Sequence, residues 1–131
     1  MIHVVITSYK EPKSTERATQ IILKQKTKEP LKVLVVDPFQ ETQKYLKSKI
    51  KDERFEFILD PGMGKPYAMN MIFELLSLED KNDIIVFTDG DVYISDNALM
   101  EIESFFKDKK VGAVTGRPVA TNPRNTKYGY W

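Results

Sequence analysis

Short apolar runs alternate with amphipathic stretches along the chain, and this alternation sets the expected architecture. Ile2 to Ile6 is a β-branched run with His3 inside it, a first strand that ends in Thr7-Ser8-Tyr9 and breaks at Lys10-Glu11-Pro12. Ala18, Ile21 and Ile22, with Gln25 completing the spacing, form the inner stripe of a first helix. Ser14 or Thr15 would cap it, and Glu29-Pro30 would stop it. Leu31 to Val36 is a second buried strand ending at Asp37-Pro38. A more polar helix follows from about Gln40 to Lys51, with Tyr45, Leu46 and Ile50 inward. Phe55 to Leu59 is a third strand, and Asp60-Pro61-Gly62-Met63-Gly64 a loop rich in turn formers. Lys65 to Leu78 reads as a third helix with Ala68, Ile72, Leu75 and Leu76 on its buried side.

The next run, Ile84-Ile85-Val86-Phe87, suits a strand buried on both faces of a parallel sheet, and it leads into Thr88-Asp89-Gly90-Asp91. Ser95 or Asp96 caps a fourth helix in which Leu99, Ile102, Phe105 and Phe106 recur at helical spacing. Val111 to Thr115 is expected as a fifth strand leading to Gly116-Arg117-Pro118, and Thr121 to Trp131 has no readable period. Strands alternating with helices predict an α/β fold, a mainly parallel sheet with helices on both faces. Right-handed crossovers then carry the ends of strands one, two and four to the same rim. Thr7-Ser8-Tyr9, Asp37 and Asp89-Gly90-Asp91 are expected to line one crevice there.

Composition narrows the chemistry. The 131 residues suit one domain, and 41% hydrophobic with 30% charged residues describe an ordinary globular chain. A net charge of +1 argues against a nucleic-acid binder, which concentrates positive charge. With no cysteine, disulfides and thiolate metal sites are excluded, so any metal sits on oxygen ligands. Neither a signal peptide nor a membrane span is read, and a cytoplasmic domain is expected.

Asp89 and Asp91 at the end of an apolar strand repel each other unless a cation or hydrogen-bond donors meet them. Gly90 between them is expected to let a bulky ligand approach the backbone. A solvated Asp-Gly-Asp turn is the plain alternative. Mg²⁺ or Mn²⁺ typically takes one or two carboxylates, with water and substrate phosphates filling its other positions. Lys65, opening a helix after Gly62 and Gly64, either adds to an anion site at that helix N-terminus or is an ordinary surface lysine. Tyr9 either stacks on a flat base or packs in the core, where Tyr67 and Tyr93 are expected. Gly64-Lys65 lacks the other residues of a phosphate-binding P-loop, and Ile94 stands where a calcium loop needs glycine. His3, the only histidine, is expected to be structural, which leaves no serine or cysteine nucleophile with a histidine base.

The order of these pieces resembles the nucleotide-binding half of a family 2 glycosyltransferase with the GT-A fold. Thr7-Ser8-Tyr9-Lys10-Glu11 is similar to that family's loop after the first strand, and Val35-Val36-Asp37 to the acidic end of its second. Gly64-Lys65-Pro66-Tyr67-Ala68-Met69-Asn70 resembles the Gly-Lys…Ala-Leu-Asn segment, and Asp89-Gly90-Asp91 the DXD motif. Val111 to Arg117 resembles the strand that follows. The resemblance covers Ile2 to about Asn122. It implies a three-layer α/β/α Rossmann-like GT-A domain over residues 1–122, with 123–131 as the start of an acceptor half. It implies an inverting transfer from a nucleotide-diphosphate sugar, UDP or GDP, to a glycan or lipid acceptor, with Mn²⁺ or Mg²⁺ assisting. Thr7, Ser8, Tyr9, Glu11, Asp37, Lys65 and Asp89 would contact the nucleotide, Asp89 at the ribose, and Asp91 with Asp89 would hold the metal.

Two departures from the family pattern matter. Pro38 stands where the family usually has a second acid that reads the base, and the family's catalytic base lies C-terminal to every matched motif. The isolated chain is therefore expected to be a hexosyltransferase portion lacking its base. The alternatives are a nucleotide-sugar binding or regulatory module, and a phosphatase of the haloacid dehalogenase type. Tyr128, Tyr130 and Trp131 are expected to pack on a second copy or lie exposed.

Overall fold

The computed structural model describes residues 1–77 and 80–119. Its elements in chain order are β1 (Ile2–Thr7), α1 (Pro12–Leu23), β2 (Leu31–Asp37), α2 (Gln40–Lys49), β3 (Phe55–Leu59), α3 (Lys65–Leu76), β4 (Ile84–Asp89) and α4 (Ala98–Phe105). The four strands form one sheet in the order β3-β2-β1-β4, with every neighbouring pair parallel. Ile2 lies opposite Leu31 on one side and Ile84 on the other, so Thr7 is flanked by Val36 and Asp89. That register sets the strand ends level along one rim.

Period-two alternation sorts the side chains onto two faces. Ile2, Val4 and Ile6 of β1 join Val33 and Val35 of β2 beneath Ile22, Leu46 and Leu99, which come from α1, α2 and α4. Val5, Leu34 and Val36 point the other way and meet Ala68, Ile72 and Leu76 of α3. The result is three layers, a Rossmann-like arrangement with α3 on one face. His3 is buried in β1, its Nε2 3.0 Å from Asp83 Oδ2, which gives it a structural place. Among the described residues no helix is long and apolar enough to cross a membrane.

Several sequence expectations are corrected here. β4 is an edge strand of the described sheet rather than a strand buried on both faces. Among the described residues only β1 pairs with it, and Ile85 is exposed. Val111 to Thr115 forms no strand: it makes no ladder with any described strand, and Gly112 to Val119 is exposed. A β-branched run becomes a strand only where a sheet edge receives it. Leu75 is exposed because the buried stripe of α3 is Ala68, Ile72 and Leu76, each four residues apart. Leu78 lies outside the described residues, as does the aromatic tail.

Helix starts differ as well. α1 is preceded by Glu11 and opens with Pro12 at its first position, where a missing N–H costs nothing, so Ser14 and Thr15 fall inside the first turn. That helix ends at Leu23, before Glu29-Pro30, and Gln25 beyond it is buried. Gln25 Nε2 donates to Ser95 O, and its Oε1 accepts from Leu99 N–H. Asn97, not Ser95 or Asp96, precedes α4, and no side chain caps it. Phe105 is exposed because only Leu99 and Ile102 of its stripe reach the sheet.

Candidate functional site

The rim formed by the C-terminal ends of the strands opens into a cavity of about 270 Å³. In parallel α/β sheets this end of the strands is where ligands bind. Thr7, Ser8, Tyr9 and Glu11 line it from the loop after β1, and Lys65 from the start of α3. Asp89, Gly90 and Asp91 close it beyond β4, while Pro38 and Asp60 stand at the β2 and β3 ends.

Lys65 opens α3 directly after Gly64, whose φ of 95° is open to glycine and strained for other residues. Its ammonium donates to Asp89 Oδ1 at 2.6 Å. The Thr7 hydroxyl donates to the same oxygen at 2.8 Å. Lys65 first and Thr7 second therefore hold the Asp89 carboxyl below the usual carboxylate range, against a smaller opposing effect of burial. Asp91 is exposed two residues further on, beside Asp89 at the cavity mouth. Among the described residues nothing hydrogen-bonds its carboxylate, and no three acids or histidines gather. Tyr9 is 70% exposed, so it is not a core residue; its ring meets Phe39 edge-on with centroids 5.0 Å apart.

Asp37 does not face the cavity. It is fully buried and holds two loops together from behind. The Ser8 hydroxyl and the Lys10 N–H donate to its Oδ2 at 2.8 and 3.1 Å, and the Phe39 N–H donates to Oδ1 at 2.7 Å. Because the Ser8 proton goes to Asp37, the Thr15 hydroxyl donates to Ser8 Oγ across 2.9 Å. Lys10 has a positive φ of 53°, which its bond to Asp37 helps to fix.

Gly90 lines the cavity and carries a constraint the sequence did not show. A methyl group there would lie 2.5 Å from Thr15 Oγ1, so the glycine admits α1 against the strand end. Tyr67 and Tyr93 are exposed rather than core residues, and Tyr93 carries the Arg17 guanidinium 4.3 Å above its ring. Asp60 escaped the sequence reading because it looked like a turn former beside Pro61. The usable signal was its place immediately after a strand, the same context that singled out Asp89.

Comparison with known proteins bears on what this rim is. The family model described as Glycosyl transferase family 2 matches residues 3–130. No curated protein matches the chain.

Proposed function

The chain belongs to glycosyl transferase family 2, and from that premise we propose that the rim cavity binds the nucleoside diphosphate of a nucleotide sugar for inverting, metal-assisted transfer. The observation that carries this reading is the meeting of Lys65, Asp89 and Asp91 at one end of a cavity that Tyr9 lines. An ammonium at a helix N-terminus offers a diphosphate positive charge and free N–H groups. Tyr9 offers the base an exposed aromatic face. Asp89, oriented by Lys65 and Thr7, accepts from a ribose hydroxyl, and Ser8 and Glu11 complete the wall.

The donor set fits a hard divalent cation. Asp91 presents an exposed carboxylate with no protein partner among the described residues, and Asp89 lies beside it. Mn²⁺ or Mg²⁺ suits one or two such ligands with phosphate oxygens and water, and when bound it neutralises the leaving diphosphate. Lys65 would add charge on the same side, which lowers the cost of the diphosphate's departure. The acceptor is a glycan or lipid hydroxyl, and the sugar a hexose. The dehalogenase-type phosphatase is set aside by the family match.

Calorimetry tests the reading directly. UDP or GDP should bind with Mn²⁺ and much more weakly with chelator, and Asp91→Ala should remove the difference while the protein stays folded. Equal affinity with and without metal would overturn the metal's place in it.

A further inference from the structure

Asp60 is the cavity residue with no role so far. It follows β3 directly, and its N–H donates to the Asp37 carbonyl at 3.2 Å, which carries the β2–β3 rim one residue further. The Gly62 N–H donates to its Oδ1 at 2.7 Å and fixes the side chain in the loop. Among the described residues Oδ2 has no partner, and the residue lines the cavity. A methyl group built on Gly62 would lie 3.7 Å from Pro38 Cβ, so this loop rests on the residue that offers the cavity no side-chain acceptor.

The sheet order places Asp60 and Asp89 at the ends of opposite outer strands, with β2 and β1 between them. Three strand spacings separate those ends, about 14 Å. Under the nucleotide reading, a ligand with its diphosphate at Lys65 and Asp91 would run along the rim past Tyr9 toward Asp60, since all four residues line the one cavity.

We propose that Asp60 reads the base of the bound nucleotide, accepting a ring N–H at Oδ2 and so selecting uracil or guanine over cytosine and adenine. This rests on the nucleotide reading of the cavity. An ionised carboxylate only accepts hydrogen bonds. Uracil N3 and guanine N1 carry the hydrogen it needs, whereas cytosine N3 and adenine N1 present lone pairs. A lone pair facing a carboxylate gains no bond and leaves the charge desolvated and unpaired, which is how polar sites reject analogues strongly. Pro38 removes the rival acceptor on the neighbouring strand, so one group decides. Because N3–H and N1–H satisfy it equally, uracil and guanine are separated weakly.

The test is calorimetric titration of the chain with UDP, GDP, CDP and ADP, each with Mn²⁺. UDP and GDP should bind about tenfold or more tighter than CDP and ADP. Asp60→Asn keeps the Oδ1 acceptor for Gly62 but places an NH₂ donor where Oδ2 was. The preference should then shrink to roughly threefold or less, or turn toward CDP. A residue that only shaped the loop would leave that ratio unchanged. If all four bind alike in a metal-dependent way, or the ratio survives in Asp60→Asn, the inference falls while the cavity reading stands. If none of the four binds, both fall.

Discussion

Lys65 Nζ stands 2.6 Å from Asp89 Oδ1, joining the first residue of α3 to the last of β4. Both side chains are about half exposed, at 54% and 49%. Exposed ion pairs contribute about 0–1 kcal/mol, so this one orients a carboxylate more than it stabilises the fold. Lys65→Met should change the unfolding free energy by less than about 1 kcal/mol. It should weaken metal-dependent UDP binding by about tenfold or more, since a charge-assisted contact to phosphate is lost. The Asp89 carboxyl should also titrate closer to its ordinary value, readable by NMR. A large loss of stability with unchanged affinity would show the pair to be structural.

Asp37 should behave in the opposite way. Removing its carboxylate in Asp37→Ala leaves the Lys10 and Phe39 N–H groups and the Ser8 hydroxyl without their acceptor. Each donor left unsatisfied away from water costs about 1–3 kcal/mol, so the three together are expected to cost at least about 3 kcal/mol in urea unfolding. Asp91→Ala, at an exposed position, should unfold like the unaltered chain. Equal midpoints for the two variants would contradict this assignment.

Gly90→Ala places a methyl group against Thr15 Oγ1, which is buried and bonded to Ser8. Overpacking of this kind typically costs about 1–3 kcal/mol. Gly90→Ala in a Thr15→Ala background should cost less than in the unaltered chain, because the obstructing oxygen is gone. Additive losses in that double-mutant cycle would show that the two residues do not meet.

Acid should weaken the fold modestly through a few carboxylates. The Arg54 side chain and, next, its backbone N–H lower the Asp52 carboxyl to about 2. His3 and then the chain's amino terminus lower Asp83, and Lys65 with Thr7 lowers Asp89. A group whose folded pKa lies below its unfolded value binds fewer protons when folded. Its contribution is therefore fully present above the unfolded value, about 3.9 for Asp, and is lost as pH falls through the folded value. Stability should hold from neutral pH to about 5 and then decline toward 2. Arg54→Ala should flatten the lowest part of that decline, because Asp52 would then titrate near its ordinary value. The exposure of the Asp52–Arg54 pair keeps the effect small.

The strand order along the chain was legible because β1, β2 and β3 are apolar runs with clear stops at Lys10, Pro38 and Pro61. The convergence of Thr7 and Asp89 followed from the crossover rule once those strands were placed, whereas Lys65 read equally as an anion-site or a surface lysine. Burial on a helix face was harder. Leu75 and Phe105 fit their apolar stripes, yet among the described residues nothing covers them. Val111 to Thr115 carried a strand's composition, but pairing depends on which edge is within reach, and no local pattern encodes that. Asp37 and Asp60 show the same limit at the site. Both are acids at a strand end, and only the turn each chain segment takes buries one carboxylate and leaves the other residue lining the cavity.

The inward carboxylate has a further consequence. Asp37 ties the loop after β1 to the loop after β2, so that side of the rim cannot vary without putting folding at risk. Among the described residues the loop from Asp60 to Gly64 has no buried carboxylate holding it: its ties are the Asp60 N–H to the Asp37 carbonyl and the Asp60–Gly62 bond, and Met63 stands 66% exposed. If the rim holds a nucleotide as proposed, exchange of this short segment would alter the Asp60 end of the cavity while the tied loops after β1 and β2 stay in place.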